Sequence, residues 1–552
     1  MTRPRLASLA LAVGALALVW AAWADELSGE DKQRILYGHG FNFTRTGLPL
    51  LTVEIMSGQK QVRLAAASGG VVVQPDGDGG SEVRAGASFT VTTRDAKPAK
   101  IKYWTVVSRT ASDPELALWK SRGYTPKTFE TGVVFAIQGD VIDSRETFVG
   151  IAPETTPDAA ARAAKKLAEQ WKVSAFVHPE LVERPKGTVI AKDGAGVVVE
   201  NPGVIWFGPS EKDGAIVVED VVAGSGGSQL TSTKETRRYA GRVYVTIGSD
   251  GLLTVVNAVP EDRLLMGLVP SEIFPDAPAA ALEAQAIAAR NELLAKIGTR
   301  HFADPFLVCS TQHCQVYGGV GPEDPRTTKA VIATRGKVML SPGGGLAQAY
   351  YSASCGGHGE DNDAIWGTPP DPALRGHLDV DNKDLASVAA YKTISDGNLG
   401  AFLAASPQTF PCGRTKYAKG RFRWKVSSKV SDLDALLAND YPGLGSLRAI
   451  EPGDRGGSGR LRNLKLVGAK STATIEGELK IRRTLGGLKS SLFRVTPRSE
   501  GGRVVAFDFE GAGFGHGVGM CQTGAIGRAE SGQKAEAILQ HYYPGISIKK
   551  MY

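Results

Sequence analysis

Apolar positions alternate in short runs along the N-terminal half of the chain, which indicates β-strands. In residues 242–247 the side chains of Val243, Val245 and Ile247 share one face, and a second apolar run covers 252–256. The Asp250-Gly251 pair between the two runs is typical of a hairpin turn. Glycine supplies 67 of the 552 residues, which favours short strands joined by many turns. The pattern predicts a β-rich protein with a hairpin at about 242–256.

Two segments instead carry apolar residues at helical spacing. One follows Thr156-Pro157, a cap residue with proline at the first helical position, and it places Ala160, Ala164 and Leu167 on one face. The other starts at about Pro278, and its buried stripe consists of Leu282, Ala286, Ala289 and Leu293. Because alanine is small, a sheet or another helix can approach this second helix closely. We therefore expect an alanine-rich helix at the centre of its domain.

The first 24 residues have the form of a secretory signal peptide. Arg3 and Arg5 precede an apolar run from Leu6 to Trp20, and Ala22-Trp23-Ala24 fits a cleavage site. An uncleaved membrane anchor is the alternative, because the uncharged stretch nearly spans a bilayer. No later apolar run is as long. We expect a secreted or periplasmic protein with no membrane span once the signal is removed.

A chain of 552 residues is longer than a single hydrophobic core normally accommodates, so several domains are expected. Residues 25–100 predict a small β-rich segment, and 186–552 a main domain with an insertion at about 380–500. Between them, 101–185 predicts a β-α-β-β-α-β accessory domain with strands at 101–107, 133–138, 147–151 and 174–177. This order resembles the SPOR module, which recognises glycan strands; an unrelated α+β domain is the alternative. The fold class expected is α+β, multidomain and mostly antiparallel.

The charge balance is mildly basic. Lys and Arg number 64 and Asp and Glu 57, giving a formal net charge of +7. This suits an anionic polymer as partner and equally an ordinary soluble surface, and it gives no reason to expect nucleic acid. With 42% hydrophobic and 22% charged residues, the composition excludes wholesale disorder.

All five cysteines lie after residue 300. Cys309, His313 and Cys314 offer zinc ligands, although their spacing fits no standard zinc pattern. A local Cys309–Cys314 disulfide is the alternative in an oxidising compartment. Cys355 and His358 are further candidates for completing a metal site. Cys412 and Cys521 have no assigned partner.

Glu272 is the acid best placed for catalysis. It lies just before the alanine-rich helix, in an expected loop between an apolar strand end and Pro275. Apolar neighbours such as Val269 and Phe274 should desolvate its carboxyl group, raise its pKa and keep some of it protonated near neutral pH. The alternative is a helix-entry carboxylate stabilised by the helix dipole.

Several ordered blocks of sequence resemble the SpoIID/LytB family of sporulation and amidase-enhancer proteins, over about residues 235–552. The blocks are VPSEIFP at 269–275, LEAQAIAAR at 282–290, CSTQHCQVY at 309–317, YYSASCGGH at 350–358 and FGHGVGMCQTGA at 514–525. The resemblance implies a protein that acts on cell-wall peptidoglycan. The expected activity is that of a lytic transglycosylase, which cleaves MurNAc–GlcNAc bonds of glycan strands to 1,6-anhydro products.

The resemblance also implies roles for residues within these blocks. Glu272 corresponds to the catalytic glutamate, although Ile273-Phe274-Pro275 replaces the family's Met-Pro, and Glu283 is the second candidate. The residues expected to bind substrate are Gln285, Arg290, Tyr351, His516 and Gln522. His516 lies in a run of alternating glycines, where it could bind sugar, assist proton transfer or serve packing alone.

Other mechanisms are open at this point. A carboxylate pair such as Glu272 and Asp361 could hydrolyse the same bond. A non-catalytic protein could bind peptidoglycan and stimulate a cell-wall amidase, and a zinc-dependent wall hydrolase is a third possibility. The transglycosylase mechanism requires no cofactor, and zinc would then be structural.

Overall fold

The computed structural model describes residues 36–44, 46–75, 82–85, 88–137, 140–222, 233–311 and 313–552. Helices and many antiparallel sheets occur together, which confirms the α+β, β-rich, multidomain class. The predicted signal peptide, 1–24, lies outside these ranges. Among the described residues, no helix combines the length and the apolar character needed to cross a membrane.

The described chain before residue 98 forms short and long strands. They are β1 (Asn42–Phe43), β2 (Pro49–Gln59), β3 (Val62–Ala66), β4 (Gly70–Pro75), β5 (Glu82–Ala85) and β6 (Ser88–Lys97).

The accessory domain follows directly. Its elements are β7 (Lys100–Ser108), α1 (Asp113–Ser121), β8 (Lys127–Thr131), β9 (Val134–Ile137), β10 (Asp140–Asp143), β11 (Glu146–Glu154), α2 (Pro157–Trp171) and β12 (Phe176–Glu183). One antiparallel sheet has the order β12-β7-β11-β8. The β-α-β-β-α-β order is therefore present, but the second strand differs from the expected one. The run at 133–138 contributes to a separate β9–β10 hairpin, and β8 takes its place in the sheet.

Strand β8 escaped the sequence pattern because Phe129 is its only apolar residue. The two faces of the sheet have different neighbours. Trp119 and Leu167 from the helices pack on one face, whereas Trp104, Phe129 and Phe148 form an aromatic cluster with Val106 on the other.

After the accessory domain the chain returns to β-structure. The strands are β13 (Lys186–Asp193), β14 (Val198–Pro202), β15 (Val204–Pro209), β16 (Ala215–Val222), β17 (Lys234–Ala240), β18 (Arg242–Ile247) and β19 (Leu253–Pro260). Strands β18 and β19 form the predicted hairpin. One sheet runs β1-β2-β19-β18-β15-β4-β5 and a second β14-β13-β6-β3-β16-β17. Residues 25–100 are thus not a separate β-rich segment, because their strands pair with strands from 186–260.

The chain then enters a mostly helical region. Its elements are α3 (Glu261–Glu272), α4 (Ala279–Leu294), β20 (Val308–Cys309), α5 (Pro325–Ala333), β21 (Lys337–Leu340), β22 (Tyr351–Ser352), α6 (Asn362–Trp366), α7 (Asp396–Ala404) and α8 (Pro411–Arg414). Helix α4 is the predicted alanine-rich helix, and it begins after Pro278 as expected. It packs against α3, α5 and β21 as well as two later helices, and nearly all of its side chains are buried.

The predicted insertion has a hydrophobic core of its own, formed by residues between Trp424 and Phe509. Its elements are β23 (Arg423–Lys429), α9 (Val430–Leu437), β24 (Leu447–Pro452), β25 (Asn463–Gly468), β26 (Thr472–Glu476), α10 (Glu478–Thr484), β27 (Phe493–Glu500) and β28 (Arg503–Ala512). The chain ends with β29 (Met520–Cys521), α11 (Gln522–Glu530), α12 (Ala535–Tyr542) and β30 (Ser547–Lys550). Helices α11 and α12 close over α4.

Candidate active site

Glu272 is the last residue of helix α3, and the chain turns there towards α4. The expected strand before it is wrong: the apolar run 264–269 belongs to the buried face of a helix. Ile273 is extended and its N–H donates to the Val269 carbonyl at 3.1 Å, which ends the helix. The turn between two packed helices fixes where the carboxyl group lies.

Gln522, at the start of α11, holds this turn from the side. Its Nε2 donates to the Glu272 backbone carbonyl at 2.9 Å and to Gln285 Oε1 at 3.1 Å. Gln285 lies on α4 and is fully buried. Both residues were expected to bind substrate; in the structure Gln522 contacts the backbone of Glu272, and Gln285 contacts Gln522.

The protein surrounds most of the Glu272 side chain, and this burial raises the pKa of its carboxyl group to about 7. The Lys296 ammonium acts in the opposite direction, and the Glu292 carboxylate adds to the rise. A carboxyl group with such a pKa is partly protonated at neutral pH and can act as an acid or, once ionised, as a base.

The Glu272 carboxyl group faces a cavity of about 730 Å³. Its walls come from helices α3 and α4, the 313–316 segment, the 350–366 region, insertion helix α10 and the glycine-rich loop before β29. Its charged lining residues are Glu272, Glu292, Lys296, Arg300, Arg482 and Arg483, and its aromatic ones are Tyr350, Tyr351, Trp366, Phe514 and His516. Cations outnumber anions, and aromatic rings offer flat surfaces, as expected where an anionic sugar polymer binds.

Glu272 also lines a second cavity of about 270 Å³, together with Phe274, Arg421 and Phe514. Glu272 and Phe514 are shared by the two cavities. The two cavities therefore adjoin at Glu272 and Phe514.

Glu292 and Lys296 are cavity residues that the sequence analysis missed. Glu292 on α4 and Lys296, two residues beyond the end of α4, form a buried ion pair, and Lys296 also donates to the Cys314 carbonyl. Burial raises the pKa of Glu292, and its Oε2 is a buried atom without a hydrogen-bond partner. Gln285, Glu292 and Lys296 are spaced 7 and 4 apart, so they continue one polar stripe along α4 and just past its end, which is the signal that could have revealed them.

The glycine-rich loop places His516 on the cavity wall. Gly513, Gly515, Gly517 and Gly519 all have positive φ, so the loop requires glycine at alternate positions. His516 Nδ1 accepts a hydrogen bond from the Val518 N–H at 3.0 Å, and its ring lies 5.2 Å from that of Trp366. Burial and, to a lesser extent, the Arg460 guanidinium together lower the pKa of His516 to about 3. The imidazole is neutral at physiological pH and presents an aromatic surface.

Tyr351 lines the cavity as expected, and its hydroxyl accepts a hydrogen bond from Gln315. Arg290 does not. It is fully buried in an ion pair with Glu261, at 2.6 Å between Nε and Oε1, and Nη1 donates to the Thr334 carbonyl at 2.9 Å. Arg290 was expected to bind substrate, but the structure places it in contacts within the fold and away from the cavity wall.

Two further acids lie elsewhere. Glu283 is on α4 but does not line the Glu272 cavity. Asp361 accepts from the Gly376 N–H at 2.6 Å and pairs with Arg375 at 3.5 Å, also outside that cavity. The expected carboxylate pair of Glu272 and Asp361 is therefore not assembled.

Four side chains with metal-ligating atoms meet beside the cavity. The ligand atoms of His301, Cys309, His313 and Cys314 all lie within 4.8 Å of one another. His301 Nε2 is 3.2 Å from Cys314 Sγ, and its Nδ1 is 2.9 Å from Asp304 Oδ2. A carboxylate behind a histidine fixes the ring for metal binding. The sequence analysis missed His301, which precedes Cys309 by eight residues.

The expected disulfide between Cys309 and Cys314 is not formed, and both cysteines are free and buried. His358, the other metal candidate, lies away from this cluster. Its Nδ1 is 2.6 Å from the Gly359 carbonyl and its Nε2 is 3.1 Å from the Lys392 carbonyl, so both ring nitrogens are engaged by backbone.

A third cavity, of about 710 Å³, lies between the accessory domain and the main domain. It shares Arg300, His313 and Tyr350 with the Glu272 cavity. On the accessory side its wall includes Phe148 and Phe176, with the Arg109 guanidinium 5.5 and 5.2 Å from their ring centroids. Through these shared residues the Glu272 cavity adjoins both of the other two cavities.

Fold and site together define a multidomain α+β protein with a raised-pKa carboxylic acid inside a long, cation-lined groove. Residues 249–340 match the family described as stage II sporulation protein, SpoIID, and residues 360–519 match a domain of unknown function, DUF8618. The predicted resemblance is thereby confirmed: the segment that contains Glu272 matches the SpoIID family.

Relatives with names support the same assignment. The chain is 28% identical over 302 residues to an amidase enhancer of Bacillus subtilis (strain 168), covering 51% of this chain and 40% of that protein. It is 26% identical over 309 residues to a stage II sporulation protein D of Bacillus amyloliquefaciens, covering 53% of this chain and 76% of that protein. The chain thus spans less than half the length of the amidase enhancer.

Proposed function

We propose that this protein is a peptidoglycan lytic transglycosylase of the cell envelope, with Glu272 as its catalytic residue. The observation that carries the proposal is the position of Glu272, a carboxyl group with a pKa of about 7 at the junction of two cavities. Similarity to the SpoIID family and to an amidase enhancer supports a role on peptidoglycan.

The reaction needs one group that first gives and then takes a proton. Protonated Glu272 donates its proton to the glycosidic oxygen between MurNAc and GlcNAc while the C1–O bond breaks and positive charge develops on the muramic sugar. The resulting carboxylate then accepts the proton of the C6 hydroxyl of the same sugar. The C6 oxygen bonds to C1, closes the 1,6-anhydro ring and returns Glu272 to its starting state.

The groove has the chemistry to bind such a strand. Arg482 and Arg483 of the insertion face the Glu272 cavity and suit the lactyl carboxylates of muramic acid. Trp366 and Phe514 offer aromatic surface for sugar rings. The cavity against the accessory domain would hold sugars further from the cut, which gives the SPOR-like domain a place in substrate binding.

We further propose that His301, Cys309, His313 and Cys314 hold a structural zinc ion. Two thiolates and two imidazoles are a tetrahedral donor set that zinc prefers, and four protein ligands leave no open position for a reactant. Bound zinc would stabilise the 301–314 loop, which contributes His313 and Cys314 to the cavity wall. Proton transfer remains with Glu272.

Digestion of purified glycan strands that lack stem peptides tests the proposal, with product masses as the readout. The wild-type chain should release anhydro-ended sugars, and Glu272→Gln should lower the rate at least ~100-fold, as expected for loss of a general acid, while strands still bind. Glu283→Gln, on the same helix pair but outside the cavity, is the matched control and should stay active. An active Glu272→Gln variant would reject the assignment.

The amidase-enhancer relative supports one alternative: a non-catalytic protein that binds peptidoglycan and stimulates a cell-wall amidase. It predicts strand binding without any cleavage by the wild-type chain. Products with reducing ends and no anhydro sugar would instead indicate hydrolysis.

A further inference from the structure

The three cysteines that the active site and its neighbouring cluster leave unused meet in the interior of the main domain. Cys355, Cys412 and Cys521 are buried together with Asp379, and their three sulfurs and one carboxylate oxygen all lie within 4.8 Å of one another. Cys355 follows β22, Cys412 lies on α8, and Cys521 ends β29. The fold thus brings four distant segments to one point.

The spacing of the sulfurs matches a tetrahedral metal site. Cys355 Sγ and Cys412 Sγ are 3.8 Å apart. A zinc ion with Zn–S bonds of about 2.3 Å has its thiolate sulfurs about 3.8 Å apart at tetrahedral angles. A disulfide needs sulfurs at about 2.05 Å and would leave the third cysteine without a partner.

Neighbouring side chains hold the Asp379 carboxylate in one orientation, as the hydrogen-bond partners of a metal ligand do. Arg528 Nη2 donates to Asp379 Oδ1 at 2.7 Å, and His541 Nε2 lies 3.2 Å from the same oxygen. The other oxygen, Oδ2, is 3.4 Å from Cys355 Sγ and accepts from the Tyr542 hydroxyl at 3.0 Å. One carboxylate oxygen is thereby fixed by the protein and the other faces the sulfurs.

Backbone N–H groups point at the sulfurs as well. Cys521 Sγ accepts from the Cys355 N–H at 3.0 Å and from the Gly524 N–H at 3.2 Å, at the start of α11. Cys355 Sγ accepts from the Gly357 N–H at 3.4 Å. A side chain on Gly524 would overlap Asp379 Oδ2 and come within 3.1 Å of Cys521 Sγ, so glycine keeps this space open.

We infer that Cys355, Cys412, Cys521 and one oxygen of Asp379 bind a structural zinc ion, separate from the His301–Cys314 cluster. Thiolate ligands select zinc among the common divalent ions. The three thiols lose their protons to solvent as the metal binds, so binding strengthens with rising pH. Four buried protein ligands leave no position for substrate, which makes the ion structural.

The ion would join the insertion to the cavity wall. Ser352 and Cys521 are paired in the parallel β22–β29 ladder, next to Tyr351 and to the loop that carries His516. Cys412 belongs to the short α8 helix at the edge of the insertion. Loss of the ion should therefore loosen α8 and the part of the cavity wall that contains Tyr351 and His516.

Zinc content of the full-length protein tests the inference independently of glycan cleavage. The double variant Cys309→Ser, Cys314→Ser removes the first cluster and should retain about one zinc per chain. Adding Cys412→Ser should remove that zinc, whereas adding Ser531→Ala, an exposed position on the next turn after α11, should leave it in place. A folded double variant without zinc would overturn the inference.

Cobalt substitution and disulfide mapping provide readouts that leave Cys355, Cys412, Cys521 and Asp379 unchanged. Cobalt bound to the double variant should give intense thiolate-to-metal absorption. Alkylation of the denatured wild-type protein should find Cys355, Cys412 and Cys521 all as thiols. A disulfide between any two of them would overturn the metal site and assign the cluster to cross-linking.

Discussion

The Glu272 side chain acquires its acidity from its immediate surroundings. Helix α3 ends at this residue, Gln522 holds its backbone carbonyl, and the residue lines two cavities. Burial raises the pKa to about 7, against 4.5 for an ordinary glutamic acid. A proton donor for neutral pH thus results from desolvation, with charged neighbours as lesser influences.

Cleavage should depend on pH in a defined direction. The raised pKa means that the acid form of Glu272 is fully populated below about pH 5 and lost as pH rises through about 7. The rate constant for single-turnover cleavage should therefore fall about tenfold per pH unit above this pKa. Stopped-flow or quench measurements between pH 5 and 9 would check this, and a rate that rises through pH 7 contradicts the acid role.

At this scale the sequence located Glu272 because the residue belongs to a recognisable motif. Glu292 was overlooked although its i,i+4 spacing to Lys296 is visible in the sequence, and His301 was overlooked because its ring meets Cys309 and Cys314 only once the 301–314 segment is folded. The sequence also misplaced Arg290: a charged residue within a family motif was taken for a ligand contact, although it satisfies a buried carboxylate. Residue type and spacing do not distinguish an arginine that binds a ligand from one that pairs with a buried carboxylate.

Among the elements, the glycine-rich loop combines conformational strain with close packing. Gly517 has φ +81° and its missing side chain would overlap the Arg460 guanidinium, whereas Gly502 has φ +76° with nothing within 4 Å. Alanine substitutions at the two positions therefore distinguish the free-energy cost of the left-handed backbone conformation from that of steric overlap.

Gly517→Ala should destabilise the protein by more than Gly502→Ala, which is expected to cost about 1–2 kcal/mol for the left-handed conformation alone. The additional cost at Gly517 is steric, and displacement of the loop should also reduce glycan cleavage. Thermal or urea unfolding of both variants measures the difference. If the two variants are equally stable, the Arg460 side chain moves aside without any loss of free energy of unfolding.

Helices α3 and α4 are joined by the buried Arg290–Glu261 ion pair. Arg290→Met leaves Glu261 buried without its partner and should reduce the free energy of unfolding by about 3–5 kcal/mol. Arg326→Ala breaks the surface pair with Asp324 and should cost less than about 1 kcal/mol. Urea unfolding compares them, and similar losses would contradict a structural role for Arg290.

The sequence predicted helix α4 accurately because proline and alanine spacing act locally. It mistook α3 for a strand end because a short apolar run, 264–269, fits a buried strand or a buried helix equally well. Strand β8 was missed for the converse reason, since tertiary pairing places it in a sheet despite a polar sequence.

For the whole molecule, the connected cavities predict that substrate length matters. Phe176→Ala removes aromatic surface from the distal cavity, about 710 Å³ in volume, without touching Glu272. We expect KM for long glycan strands to rise several-fold while short fragments are cleaved as before. Leu118→Ala, on an exposed helix position of the same domain, is the control. Equal effects on long and short strands would show that the accessory domain does not bind the substrate.

Domain boundaries were the least predictable level. The sequence divides at 100 and 185 because composition and periodicity change there. It carries no signal that β6 and β13, almost ninety residues apart, pair with each other. Long-range pairing is set by the assembled core, so 36–97 and 186–260 were assigned to different units although they share two sheets.

The accessory domain is joined to the rest by two short connections that run side by side. Lys97 of β6 faces Lys186 of β13, and Lys100 of β7 faces Glu183 of β12. A domain suspended by one flexible linker would sample many orientations, but a double-stranded attachment resists twisting and bending. The distance from the aromatic sheet to Glu272 is therefore fixed by the fold, and under the proposed function it would set how far from a bound strand segment the cut is made.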